Sequence, residues 1–364
     1  MLNPITYTEK VVSDFLRYQI TTYPFADTGL YRQMRTLLNL EKTRRTPLLK
    51  GPYISLSRAF LKGASVSDLV SEKIFHPHLS RLIPYANVYG HQDEAVRAIS
   101  SGNTTLIATG TGSGKTECFL YPIISRCLSL RDEMHPPGIA AVIVYPMNAL
   151  AEDQLDRLRD LLAGTGISFG MYIGKTPERA AEIKGIRLPE GSSRADYRKT
   201  IENLRRNKQS GAVHPPEERI SREEMRTPGQ QPRILLTNVK QLELLLTRRK
   251  DIELFDNAPL EFIVFDEAHT FSGTTGAETA CLIRRLRAYC GKKPTETVCI
   301  ATSATIADPE RGKEAGYDFA SRFFGIPKEN VILVSEKYAP DYWAEKRRLT
   351  DAPPEPAELL RTIL

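Results

Sequence analysis

From about residue 100 onward the chain alternates short, uninterrupted apolar runs with longer stretches in which apolar residues recur every three to four positions. The runs Thr105 to Ala108, Ala140 to Tyr145, Ile234 to Leu236, Phe262 to Phe265, Val298 to Ala301 and Val331 to Val334 read as strands covered on both faces. A strand with one wet face would instead alternate apolar with polar. Between them Phe119, Leu120, Ile123, Ile124, Cys127 and Leu128 keep helical spacing, as do Leu150, Leu155, Leu158 and Leu162. Strand alternating with helix predicts an α/β domain whose sheet is mostly parallel, with helices on both faces.

Two regions break this rhythm. Residues 1–84 carry helical patterns at Val11, Phe15 and Ile20 and at Tyr31, Met34 and Leu38, then a passage punctuated by Pro and Gly, which predicts a mainly helical N-terminal extension. Residues 176–231 contain Pro189, Pro215, Pro216 and Pro228 among many charges and few aromatics, which predicts a partly helical, mobile insertion rather than core. The expected organisation is therefore the extension over 1–84, the α/β domain over 85–335, and over 336–364 a linker, DAPPEP, with the start of a helix after it.

Composition narrows the class without naming a function. A length of 364 residues with 41% hydrophobic positions suits about two globular domains. No apolar stretch approaches the ~18 residues of a membrane span. Glu9 and Asp14 stand where a secretory leader would be basic and then apolar, so a cytoplasmic location is expected. Cys118, Cys127, Cys281, Cys290 and Cys299 form an odd set without a C-x-x-C pair and read as reduced core thiols. His76 and His78 flank Pro77 with no further ligands nearby, so they read as loop residues. The net charge of +6 is concentrated: residues 1–84 hold 12 basic and 6 acidic residues, and the remainder balances at 38 of each. A basic extension suits contact with a polyanion, or equally the solvated face of a small helical module. A smaller excess, 14 basic to 9 acidic, lies between Lys175 and Arg233.

The string ATGTGSGKTE, Ala108 to Glu117, follows one predicted strand and opens a helix near Lys115. Glycines at 110, 112 and 114 let successive backbone amides turn toward phosphate oxygens, and the helix start adds the positive end of its dipole. Lys115 is placed to reach β- and γ-phosphates and Thr116 to offer its hydroxyl to Mg²⁺, with Thr111, Gly112, Ser113, Gly114 and Glu117 completing the nucleotide-binding segment. The first glycine of the strict phosphate-loop pattern is replaced by Thr109. A second string, FIVFDEAHTF, delivers Asp266 and Glu267 at the carboxyl end of an apolar strand, where ligands of open α/β sheets bind. Asp266 there suits Mg²⁺, and Glu267 suits the orientation and deprotonation of an attacking water.

These two strings and CIATSAT, Cys299 to Thr305, resemble the first RecA-like domain of superfamily 2 DEAD/DEAH-box helicases. YGHQ at 89–92, YPMNALAEDQ at 145–154, YIGKTPE at 172–178 and ILLTNVKQLELLL at 234–246 are similar to the YprA-like branch, which includes DNA-repair helicases and large helicases of bacterial antiphage systems. The resemblance implies that Gln92 reads adenine and that Pro146, Asn148, Gly174, Thr237 and Asn238 face a sugar-phosphate backbone. It also implies that His269, Ser303 and Thr305 couple nucleotide state to the strand track. The expectation is an ATP- and Mg²⁺-dependent DNA helicase or translocase, in genome defence or DNA repair. No second RecA-like lobe follows Thr305, so the chain is expected to be the N-terminal portion of a larger helicase or to work with a partner that supplies that lobe. A nucleotide-switched DNA-binding subunit and an RNA helicase remain alternative readings.

Overall fold

A computed structural model describes residues 4–22, 26–39, 58–110, 112–208, 211–304 and 311–340. Two compact units divide between Arg58 and Ala59. The first contains α1 (Pro4–Thr22) and α2 (Thr28–Asn39), the helices expected of the extension. Asp27 caps the second, its Oδ1 accepting from the Leu30 amide at 2.7 Å. Arg44 and Arg45, part of the basic excess, lie outside the described residues.

The second unit starts earlier than the predicted 84/85 boundary. Strand β1 (Lys62–Ser65) leads into α3 (Val66–Ser71) and later pairs antiparallel with β2 (Asn87–Tyr89). Ser65 caps α3 through a reciprocal bond with Asp68. Leu69, Phe75 and Leu79 are fully buried in the same core as Phe119 and Ile123, which is why this passage belongs to the α/β unit. Turns at Glu72–Lys73 and at Pro77 separate these buried anchors. His76 and His78 sit at one of those turns, where the His76 ring accepts from the His78 amide at 3.2 Å and contacts Asp132 at 3.0 Å.

The chain then runs through α4 (Gly90–Ser100), β3 (Thr104–Ala108), α5 (Lys115–Asp132), β4 (Ala141–Tyr145), α6 (Asn148–Leu162) and β5 (Phe169–Met171). The region expected as an insertion supplies β6 (Ile186–Arg187), α7 (Arg194–Arg206), β7 (Val213–His214), β8 (Glu218–Arg219) and α8 (Arg222–Arg226). It is followed by β9 (Ile234–Asn238), α9 (Val239–Thr247), α10 (Arg249–Ile252), β10 (Phe262–Phe265), α11 (Gly273–Tyr289), β11 (Val298–Ser303), α12 (Arg311–Phe324) and β12 (Val331–Ser335).

Eight strands form one sheet in the order β12-β3-β11-β10-β4-β9-β5-β8, and every pairing in it is parallel. All six strands predicted from the apolar runs are among them. Consecutive residues point to opposite faces: Ile143, Tyr145 and Val264 pack into one core with α5 and α6, while Val142, Val144 and Phe265 pack into another with α9 and α11. The sheet is thus buried on both sides, as its unbroken apolar strands require. Cys118, Cys127 and Cys299 are buried, Cys290 partly so and Cys281 exposed, all as free thiols.

Two sheet strands escaped the sequence reading because each lacks an apolar run. In β5, Gly170 leaves space that Met225 fills: a Cβ there would lie 2.8 Å from the Met225 sulfur. In β8, Glu218 is buried and accepts from the Arg159 guanidinium at 2.6 and 2.8 Å and contacts His214 Nδ1 at 2.9 Å. Burial alone would raise the Glu218 carboxyl, but His214 and Arg159 outweigh it and hold it below the usual carboxylate range. The charged region over 176–231 therefore departs from the expected loose insertion. Its strand β8 joins the sheet, its helix α8 enters the core through Met225, and Tyr197 and Val213 form a small apolar cluster of their own.

Candidate functional site

The phosphate loop leaves the carboxyl end of β3, and Lys115 is the first residue of the 18-residue helix α5. Gly114 precedes it in the left-handed conformation, φ 79°, and a Cβ there would lie 2.4 Å from Gln92 Nε2. The backbone favours glycine at 114, and any side chain there would displace the Gln92 amide. Gln92 spans the gap: its Oε1 accepts from the Tyr89 amide at 2.8 Å and its Nε2 donates to the Gly114 carbonyl at 3.1 Å. Ser113 donates to Thr109 Oγ1 at 2.7 Å, so the threonine that replaces the usual first glycine ties the loop to itself. Thr111 lies outside the described residues.

Three contacts to this loop were not singled out from the sequence. His91 Nε2 donates to the Ser113 carbonyl at 2.8 Å. Burial pushes the His91 imidazole below its ordinary pKa, which keeps the ring neutral. Glu336, one residue past β12, accepts from the Gly110 amide, while Tyr338 donates to its other oxygen. Phe60 stacks on Tyr338 at 5.5 Å and also touches Tyr89 and His91, forming an aromatic group beside Gln92. Glu117 is engaged by Arg157 of α6, so this residue braces α5 against α6. The adjacency of His91 to Gln92 in YGHQ was the available signal for the first contact. Nothing local marks the second, which spans 226 residues.

Asp266 and Glu267 follow β10 as expected. Lys115 Nζ lies 3.3 Å from Glu267 Oε1, which brings the phosphate loop and the acidic pair together. The parallel register sets Phe265 beside Ala301 and hence Asp266 beside Thr302. Thr302 donates to Asp266 Oδ1 and accepts from the Glu267 amide at 3.0 Å. The resemblance points instead to its neighbours Ser303 and Thr305. Ser303 joins the loop through its carbonyl, which accepts from the Thr109 amide at 3.2 Å, and Thr305 lies outside the described residues. Burial raises the Asp266 carboxyl above the ordinary range, against the pull of Thr302 and Lys115. A buried carboxylate short of countercharge fits a cation ligand. Glu267 has φ 50°, a strained backbone for a side chain of its size, and His269 Nδ1 lies 3.4 Å from its second oxygen.

The residues expected to face a nucleic-acid backbone occupy adjoining strand ends. Tyr145 and Asn238 are register partners in β4 and β9, which brings Asn238 Nδ2 to within 2.7 Å of Asn148 Oδ1 just past Pro146. Asn238 Oδ1 also caps α9 through the Gln241 amide, so both ends of its carboxamide are bonded inside the protein. Thr237 is buried and donates to the Tyr172 carbonyl at 2.7 Å, which points its hydroxyl inward. Gly174 is exposed, with open space around it. The structure thus gathers all five on one rim, with Thr237 and Asn238 linking loops and Gly174 open to solvent.

The DEAD/DEAH box helicase family model matches residues 89–192 and 194–311. The chain is 30% identical to Druantia protein DruE of Escherichia coli (strain UMEA 4076-1) over 85% of its own length and 21% of that protein. It is 28% identical to the uncharacterized ATP-dependent helicase YprA of Bacillus subtilis (strain 168) over 69% of its length and 27% of that protein. The crystal structure of DUF1998 helicase MrfA bound to DNA shares the fold, with a TM-score of 0.51 and 24% identity over 78% of this chain and 30% of MrfA. The chain spans less than a third of these proteins. Among the described residues no helix is long and apolar enough to cross a membrane.

Proposed function

The chain belongs to the DEAD/DEAH box helicase family, and from that premise we propose that it is the first motor lobe of an ATP-dependent DNA helicase or translocase. The observation that carries this reading is the meeting of Lys115 and Glu267 at the carboxyl edge of the sheet. Lys115 neutralises the β- and γ-phosphates of ATP, the loop amides from Gly112 to Thr116 cradle them, and Gln92 recognises adenine. Phosphates offer Lys115 a more highly charged partner than Glu267, so substrate binding frees that carboxylate to orient and deprotonate the attacking water. Thr116 and Asp266 would hold Mg²⁺, which would supply charge neutralisation at the phosphates. Thr302 keeps Asp266 and the Glu267 amide in register during this exchange.

DNA is favoured over RNA by the resemblance of YPMNALAEDQ and ILLTNVKQLELLL to the YprA-like branch, which includes DNA-repair helicases. The resemblance to the YprA-like branch supports a role in genome defence or DNA repair, and we take the protein to act in the cytoplasm. The complementary lobe, in the same longer chain or in a partner, offers an arginine across the nucleotide, a contribution of roughly 10³–10⁵ in kcat in related NTPases. The test compares DNA-stimulated ATP hydrolysis and strand displacement by residues 1–364 alone and by the complete protein, on DNA and RNA duplexes. Slow hydrolysis without unwinding is expected of residues 1–364, and ATP-driven displacement of DNA by the complete protein. Robust unwinding by residues 1–364, or displacement of RNA alone, would refute the corresponding part of the reading.

A further inference from the structure

The loop over 172–178 at the end of β5 is held by a helix that the sequence presented as a charged insertion. Met225 anchors α8 in the core over Gly170, and Ser221 with Glu224 caps it reciprocally. From that base Arg222 reaches the loop. Its NH2 group donates to the Ile173 carbonyl at 3.1 Å and the Gly174 carbonyl at 2.9 Å, and its guanidinium lies 5.2 Å from the centre of the Tyr172 ring. Its backbone amide donates to the Pro177 carbonyl at 2.9 Å. One turn on, Arg226 bridges Asp251, at 2.9 Å, and Glu178, while Asp251 accepts from the Tyr172 hydroxyl at 2.6 Å. Every bond from α8 to this loop therefore ends on a carbonyl or carboxylate oxygen.

The opposite polarity is left outside. Among the described residues the amides of Gly174 and Lys175 donate to no protein group, both residues are exposed, and the Lys175 side chain, 77% exposed, has its ammonium 3.9 Å from Glu152 Oε1. A turn whose carbonyls are tied to a guanidinium keeps its unpartnered amides as donors for an anion. We propose that Arg222 is a positioning residue for nucleic-acid binding, fixing the 172–178 loop so that the amides of Gly174 and Lys175 receive one backbone phosphate. This assignment rests on the nucleic-acid reading above and deepens it. The insertion then serves to set the rim on which the strand lies.

The test uses the complete protein with a fluorescent single-stranded oligonucleotide, measuring affinity across a salt series, together with unstimulated ATPase activity. Arg222→Ala should weaken binding by about tenfold, the loss of roughly one phosphate hydrogen-bonding site. It should also make the dependence of log affinity on log salt shallower by about 0.7, the value of one phosphate on a single strand. The KM for ATP should be unchanged, and Arg222→Lys, which keeps a donor for the same carbonyls, should recover part of the affinity. Wild-type affinity and slope in Arg222→Ala would overturn the assignment, as would an equal loss of ATP affinity, which would mean that the whole domain had been damaged. Lys175→Glu separates the two claims: weakened binding there with Arg222→Ala silent sinks the positioning role alone. A wild-type protein that binds no nucleic acid sinks both.

Discussion

Lys115 Nζ and Glu267 Oε1, 152 residues apart in sequence, stand 3.3 Å apart across the carboxyl edge of the sheet. Each is the other's partner before substrate arrives, so their substitutions should separate cleanly. Lys115→Ala removes the cation that meets the phosphates, and ATP affinity should fall by about tenfold or more with hydrolysis lost. Glu267→Gln should bind ATP at least as tightly as wild type while turnover falls about 10²–10⁴-fold, the scale of a lost general base. Nucleotide titration and single-turnover hydrolysis of both variants check this, and near-normal turnover of Glu267→Gln would remove it from the chemistry.

Thr302 opposes the effect of burial on Asp266. Burial already raises that carboxyl, and the Thr302 hydroxyl acts in the opposite direction by donating to its charged form. Thr302→Val should therefore raise it further and move the acidic limb of the ATPase pH profile to higher pH, since the proposed Mg²⁺ site requires an ionised Asp266. The variant should also lose about 1–3 kcal/mol of stability because the Glu267 amide loses its acceptor. An unmoved acidic limb would mean that Asp266 does not govern it.

Helix α7 is docked on α6 by acid-sensitive contacts. Arg198 donates to both Asp160 oxygens at 2.6 and 2.8 Å, and Arg194 to one of them at 2.8 Å, which together lower the Asp160 carboxyl from 3.8 to about 2. A depressed carboxyl stabilises the fold above its unfolded value and loses that contribution as pH falls from about 4 to about 2. Asp160→Asn should cost up to about 1 kcal/mol at pH 7, a modest figure because the pair is partly exposed. The difference in Tm between the two proteins should vanish as pH approaches 2. A difference independent of pH would assign the effect to packing.

Glu336 sets a negative charge beside the phosphate loop through its bond from the Gly110 amide. Glu336→Gln keeps an acceptor for that amide and removes the charge, so the KM for ATP should fall by about two- to fivefold at low salt, with the difference shrinking as salt rises. Steady-state ATPase assays at two ionic strengths measure it. A KM that rises would show that the carboxylate favours nucleotide binding.

The parts legible in the sequence were those written locally. Phe262 to Phe265 followed by Asp266 and Glu267 could be read as strand and acidic pair because the apolar run itself states burial on both faces. Gly114 and Lys115 were legible for the same reason, since loop and helix start are contiguous. Thr302 was not, because its role depends on the register between β10 and β11, which no single run encodes. Glu336 was invisible until the sheet order brought the end of β12 to the end of β3. The charged region over 176–231 misled for a physical reason: its core contribution is made by Met225 and by a buried charge cluster around Glu218, and hydropathy patterns score the latter as surface.

Strand β3, which carries the phosphate loop, is flanked in the sheet by β11 and β12 and by no strand made near it in time. On a ribosome adding about 5–20 residues per second, roughly 10–40 seconds separate the emergence of Thr104–Ala108 from that of Val298–Ser335. Throughout that interval both hydrogen-bonding edges of β3 stand unpaired while β4, β9 and β10 can already associate. The nucleotide site is thus the last part of the sheet to close. Slowing elongation before residue 298, or withdrawing chaperones that shield extended apolar segments, should lower the yield of ATP-binding protein more than the yield of folded secondary structure.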